Sequence, residues 1–97
     1  PVVFLKRAMG VPLRVFPNPA NGYIWVDLRM IQMPGSLMIV LRDMQGRKVL
    51  ERSLERHELS GMIRVPVAQL KSGYYQLMVY SADRTVLGAE NLLIRNR

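Results

Sequence analysis

The chain has no cysteine and a single histidine, His57. Without thiols it can form neither a disulfide framework nor a thiolate metal site, so cysteine usage cannot separate an oxidising from a reducing compartment. His57, set between Arg56 and Glu58 with no second imidazole to share a metal, reads as a solvated surface residue. Long apolar runs are missing too: none approaches the ~18 to 20 residues that a membrane-spanning helix needs. The chain opens on Pro1 without the charged-then-apolar pattern of a signal peptide, and reads as a soluble piece that begins mid-chain. Carboxylates are scarce, seven against fourteen Lys and Arg in 97 positions. Asp27, Asp43, Asp83, Glu51, Glu55, Glu58 and Glu90 are scattered, and none falls into the alternate-residue spacing of a calcium loop. Ser36, Ser53, Ser60, Ser72 and Ser81 lie beside turns or ends, where hydroxyls satisfy backbone groups. No nucleophile, base or metal constellation can be assembled, so the expectation is no enzyme, no catalytic residue, no cofactor and no metal.

What is present is globular material. Apolar residues make up 49% and charged residues 22%, which suits one packed domain, and the length leaves no room for a second. The net charge of +7 draws the chain toward nucleic acid, anionic lipid or acidic glycan. The cations are spread along the whole sequence, however, and no nucleic-acid motif accompanies them. Charge of that kind gives non-specific attraction, and no specific nucleic-acid partner is expected.

Residues Pro1 to Pro12 have no sustained period and contain Gly10 and Pro12, so they read as a linker ahead of a domain spanning 13–97. Leu13 to Phe16 is a short strand, stopped by Pro17-Asn18-Pro19, and Asn21-Gly22 supplies a turn. Tyr23 to Leu28 alternates Ile24, Val26 and Leu28 on one face with Tyr23, Trp25 and Asp27 on the other, the period of a half-buried strand. After Pro34-Gly35, Leu37, Ile39 and Leu41 point inward. Asp43-Met44-Gln45-Gly46 is then a type I turn closing a hairpin. Arg47 to Leu54 returns as the partner strand with Val49 inward. The charged stretch from Glu51 to Glu58 leaves a helical alternative open, with strand preferred. Met62 to Val67 is extended, Leu70 to Gly73 turns, Tyr74 to Tyr80 runs with Tyr75, Leu77 and Val79 inward, and Val86 to Ile94 closes the domain with a bulge at Gly88. About seven short strands without a convincing helix predict an all-β fold, an immunoglobulin-like antiparallel β-sandwich. Met38 and Val40, with Tyr74, Met78 and Tyr80, are left over as an apolar face that would serve a partner or a homodimer.

Three runs carry a resemblance: Val15-Phe16-Pro17-Asn18-Pro19-Ala20, then Leu41 to Val49 with Asp43, Gly46 and Arg47, then Leu70 to Leu77 with Leu70, Gly73 and Tyr75. In order and spacing they resemble the C-terminal sorting domain of type IX secretion cargo. Its signatures are an aromatic-Pro-Asn-Pro start, an Asp-x-x-Gly-Arg hairpin, a Leu-x-x-Gly-x-Tyr strand and a basic end after an apolar strand, here Leu92, Leu93, Ile94 and Arg95. Glu90 and Asn91 depart from the pattern, standing where members often carry Lys.

The resemblance implies a domain that passes through the periplasm and is recognised by the outer-membrane translocon. A surface sortase then cuts it off in the linker, and the cargo ends at the outer membrane and cell surface or is secreted, joined to anionic lipopolysaccharide. Backbone pairing of an exposed final strand is the expected mode of recognition. A second reading keeps the domain attached, its basic face binding anionic lipopolysaccharide or a protein. A third makes Trp25, Tyr74 and Tyr80 an aromatic platform for a protein or carbohydrate.

Overall fold

A computed structural model describes residues 11–29, 31, 35–55 and 61–96. The expectations for residues 1–10, Pro34, the stretch 56–60 with His57, and Arg97 lie outside the described residues.

The alternating segments form eight strands: β1 (Val11–Pro12), β2 (Arg14–Phe16), β3 (Tyr23–Asp27), β4 (Leu37–Asp43), β5 (Lys48–Leu54), β6 (Met62–Pro66), β7 (Gly73–Ser81) and β8 (Val86–Ile94). They make a five-stranded sheet, β1-β8-β7-β4-β5, and a three-stranded sheet, β2-β3-β6. Every pairing among β2 to β8 is antiparallel, and the two-residue β1 adds to β8 in parallel. The expected all-β, sandwich-like architecture of seven antiparallel strands is thus present, with no helix among the described residues.

Period-two alternation explains the core. Ile24 and Val26 of β3 and Val65 of β6 meet Leu37, Ile39 and Leu41 of β4, Tyr75, Leu77 and Val79 of β7, and Leu92 and Ile94 of β8 in one buried cluster. Two details differ from the reading of the sequence. Val11 and Pro12, ahead of Leu13, are already paired, lying against Gly88 and Ala89, while Leu13 itself is buried between strands. On β5 the register shifts, Leu41 opposing Leu50 but Arg42 opposing Lys48, which leaves Val49 as an extra bulged residue. The inner line of that strand is therefore Leu50, Arg52 and Leu54, with Val49 half-buried against the core. Arg52 copes with this position by donating from Nη1 to the carbonyl of Arg64 on β6, 2.8 Å away, which ties the two sheets together. The bulge expected near Gly88 is present: Val79 opposes Gly88 and Tyr80 opposes Val86, leaving Leu87 over.

The expected aromatic platform does not form. Trp25 shares the outer face of the small sheet with Phe16 and Arg64, its register partners, whereas Tyr74 and Tyr80 stand on the outer face of the large sheet. Arginines stack on that small-sheet face, Arg64 4.6 Å from the centre of the Tyr23 ring and Arg14 5.6 Å from that of Phe16.

Asp27 is the one buried charged residue among those described. Its carboxylate accepts from Arg29 Nε at 2.9 Å, from Arg29 Nη2 at 2.7 Å and from the Arg29 backbone N–H at 3.0 Å. The guanidinium bonds, and next the backbone N–H, hold its pKa down at about 2. A depressed carboxylate contributes stability that is fully present above its unfolded value of ~4 and is lost as pH falls through the folded value. Asp27→Asn is accordingly expected to lower Tm by several degrees at pH 7, with the gap from wild type closing between pH ~4 and ~2 in a pH series of thermal melts.

Candidate functional site

The motif residues build one end of the large sheet. The hairpin between β4 and β5 closes over three residues. The N–H of Asp43 donates to the carbonyl of Arg47 and the N–H of Gly46 to that of Asp43, both at 2.9 Å. Such a loop must end on a left-handed residue, and Gly46 has φ +85°, which a side chain would strain. Asp43 fastens the turn: its carboxylate accepts from the N–H groups of Gln45 and Arg47 and, at 2.8 Å, from Arg47 Nε. The Arg47 backbone N–H, then its guanidinium and the Gln45 N–H, hold the Asp43 carboxyl below the ordinary range. Aspartate, glycine and arginine at this spacing are therefore turn-building choices.

The Leu-x-x-Gly-x-Tyr run is equally architectural. Leu70 packs half-buried against the core as β6 hands over to β7. Buried Tyr75 reaches back to donate from its hydroxyl to the carbonyl of Lys71 at 2.6 Å, the arrangement called a tyrosine corner in sandwich folds. Tyr75→Phe removes that bond and leaves the ring. It is expected to cost about 1 kcal/mol and to lower Tm by roughly 4 to 8 °C in thermal melts.

The Pro-Asn-Pro segment turns out to be a cover for β8. Both of its prolyl peptides, Phe16-Pro17 and Asn18-Pro19, are cis. The Asn18 side chain behaves as a short strand, donating from Nδ2 to the carbonyl of Asn91 at 3.2 Å and accepting from the N–H of Leu93 at 2.9 Å. Ala20, fully buried, continues this pairing in parallel with Ile94: its N–H donates to Leu93 and its carbonyl accepts from Arg95. With β1 in place, the outer edge of β8 is occupied at Gly88 and Ala89 and again from Asn91 to its end. The expectation of an open terminal strand is corrected here, because the backbone groups a partner would need already have partners. Within β8, Leu92 and Ile94 are buried, Leu93 lies on the outer face opposite Tyr74, and Arg95 is exposed. Glu90 opposes Leu77 on the inner line, and burial pushes its carboxyl pKa up.

Register brings these parts together. Asp43 opposes Tyr75 and Tyr75 opposes Leu92, while Gly73 opposes Ile94 and Ile94 bridges to Ala20, so the four motifs form two neighbouring rows across one end of the sheet. Only Phe16 faces away, on the small sheet. The sequence reading missed Asn96, which locks this end. Its side chain accepts from the N–H of Gly22 at 2.9 Å and donates to the carbonyls of Val67 and Leu70, each at 2.7 Å. Its backbone exchanges two bonds with the Ser72 hydroxyl. Between the 43–47 hairpin and residues 69–75 runs a groove of about 440 Å³, bordered by Met44, Val49, Leu70, Tyr74, Arg47 and Lys71.

Chemically this end offers turns, strand ends and a groove. Among the described residues no three of His, Asp and Glu gather as metal ligands. The family model described as the secretion system C-terminal sorting domain matches residues 14–92, from the first residue of β2 to Leu92 in β8. No curated protein and no solved structure matches the chain.

Proposed function

The chain belongs to the secretion system C-terminal sorting domains, and from that premise we propose that it is read as a folded label and is cut off ahead of Val11. As a member it is a C-terminal sorting signal for type IX secretion. It works through the secretion machinery and directs export to the outer membrane, the cell surface or the medium. Its role is that of an address and not of a catalyst.

The observation that supports a folded label is the convergence of the four motifs at one end of the sheet, brought together by strand pairings that exist only when β4, β7, β8 and residues 18–20 are assembled. In an unfolded chain Asp43 and Ile94 are a sequence-distant pair with nothing to present jointly. The domain therefore folds in the periplasm, reaches the translocon intact and is removed outside by the sortase. A protease takes its substrate as extended, unpaired backbone. Val11 and Pro12 are paired to β8, which favours a cut within residues 1–10.

The test is the mass of the mature, surface-located protein from its native cell. Loss of residues 11–97 with a cut inside 1–10 is the expected result. A domain still attached to the surface protein would contradict removal, and a full chain held in the periplasm would contradict the label itself.

A further inference from the structure

Resting on the sorting-signal reading, we propose that the groove between the 43–47 hairpin and residues 69–75 docks an extended acidic segment of a protein partner, which inserts an apolar side chain between Met44 and Tyr74. Among the described residues three large apolar side chains are exposed, and two of them, Met44 at 52% and Tyr74 at 61%, border this one groove. The third, Met62, is on the other sheet. Neither Met44 nor Tyr74 is required by the turns that carry them: Met44 is an interior loop position, and Tyr74 precedes the tyrosine whose hydroxyl does the holding. Apolar groups kept at such positions, over a floor made by half-buried Val49 and Leu70, mark a contact surface.

The charge selects the partner. Arg47 and Lys71 stand at the rim. The one carboxylate there, Asp43, is already engaged by Arg47 and by two backbone N–H groups. Two cations less one carboxylate leave one positive charge over, that of Lys71, which among the described residues has no ion-pair partner. A volume of about 440 Å³ holds a side chain with its flanking backbone and not a flat bilayer, which favours a peptide over a lipid surface. The other groove, about 470 Å³ on the outer face of β4, β5 and β7, has Glu51 and Glu55 among its walls beside Lys48 and Arg84. Arg42 completes those walls, and none of the three exposed large apolar side chains borders them.

Two experiments test the assignment. In the first, the isotope-labelled 97-residue chain is titrated by NMR with a short peptide of alternating glutamate and leucine and, separately, with phosphatidylglycerol vesicles. Shifts confined to residues 44–47 and 71–75, weakened by salt, are expected. Met44→Asp and Tyr74→Asp should each lower peptide affinity about tenfold or more at unchanged Tm. Shifts centred on Arg84, or vesicle binding in place of peptide binding, would overturn it. In the second, the chain is carried at the C-terminus of a reporter in a cell with the secretion system. Wild type exported and the two folded variants retained supports the groove. Equal export of all three overturns the groove alone, whereas failure of the wild type overturns the sorting reading on which it rests.

Discussion

A chain ending at Glu90 is expected to be unfolded. The deletion takes away Leu92 and Ile94, at 1% and 0% exposure two of the most deeply buried side chains in the core. Losing one such side chain to alanine costs ~2–5 kcal/mol, so the pair alone amounts to ~4–10 kcal/mol. A domain of this size has only ~5–15 kcal/mol of stability in total. The same cut strips β7 of its neighbour from Gly73 to Gln76, leaves Asn18 and Ala20 with nothing to pair, and removes Asn96. Circular dichroism of the shortened chain should show no cooperative melt. Loss of export by such a truncation would then report a lost fold and not a lost tag.

Asn96→Ala is expected to be the most damaging single polar substitution. It abandons the Gly22 N–H and the Val67 and Leu70 carbonyls at once, three backbone groups that belong to two different loops. At about 1 kcal/mol per bond, and more where a group is left dry, the cost is ~2–4 kcal/mol and Tm falls by roughly 10 °C or more. Asn96→Asp keeps the bond from Gly22 but sets a carboxylate oxygen against two carbonyls, and should be no better than alanine. A melt within a few degrees of wild type for either variant would show that the C-terminal lock is dispensable.

Much of this was legible beforehand because it is local. The alternation in β4 and β7 names the inward residues without any knowledge of their neighbours, and Asp43 with Gly46 and Arg47 describes a turn whose bonds span four residues. What escaped is long-range. Asn96 bonds to residues 74 and 29 positions away, and Asn18 to residues 73 and 75 positions away. A sequence has no signature for such pairs, and Asn96 after an apolar strand looks like tail. On β5 Val49 does pack against the core, but the rest of the inward line is not legible, since one bulged residue there shifts the parity of everything after it to Leu50, Arg52 and Leu54. The open terminal strand was expected because nothing local reveals that Asn18 and Ala20 cover it. Trp25 and Tyr74 share a composition but not a face, and only the strand order separates them.

Motif residues here hold the fold together, while exposed positions between them are free to make contact. This view divides the residues in a way that export can check. Asn96 lies in no motif, yet it should matter more than Tyr75, which does. The most direct measurement is the fraction of a reporter exported under this domain, set against Tm for Tyr75→Phe, Asn18→Ala and Asn96→Ala. The account predicts that export falls in step with Tm and is lowest for Asn96→Ala. Motif variants blocked at wild-type Tm, with Asn96→Ala exported normally, would contradict it.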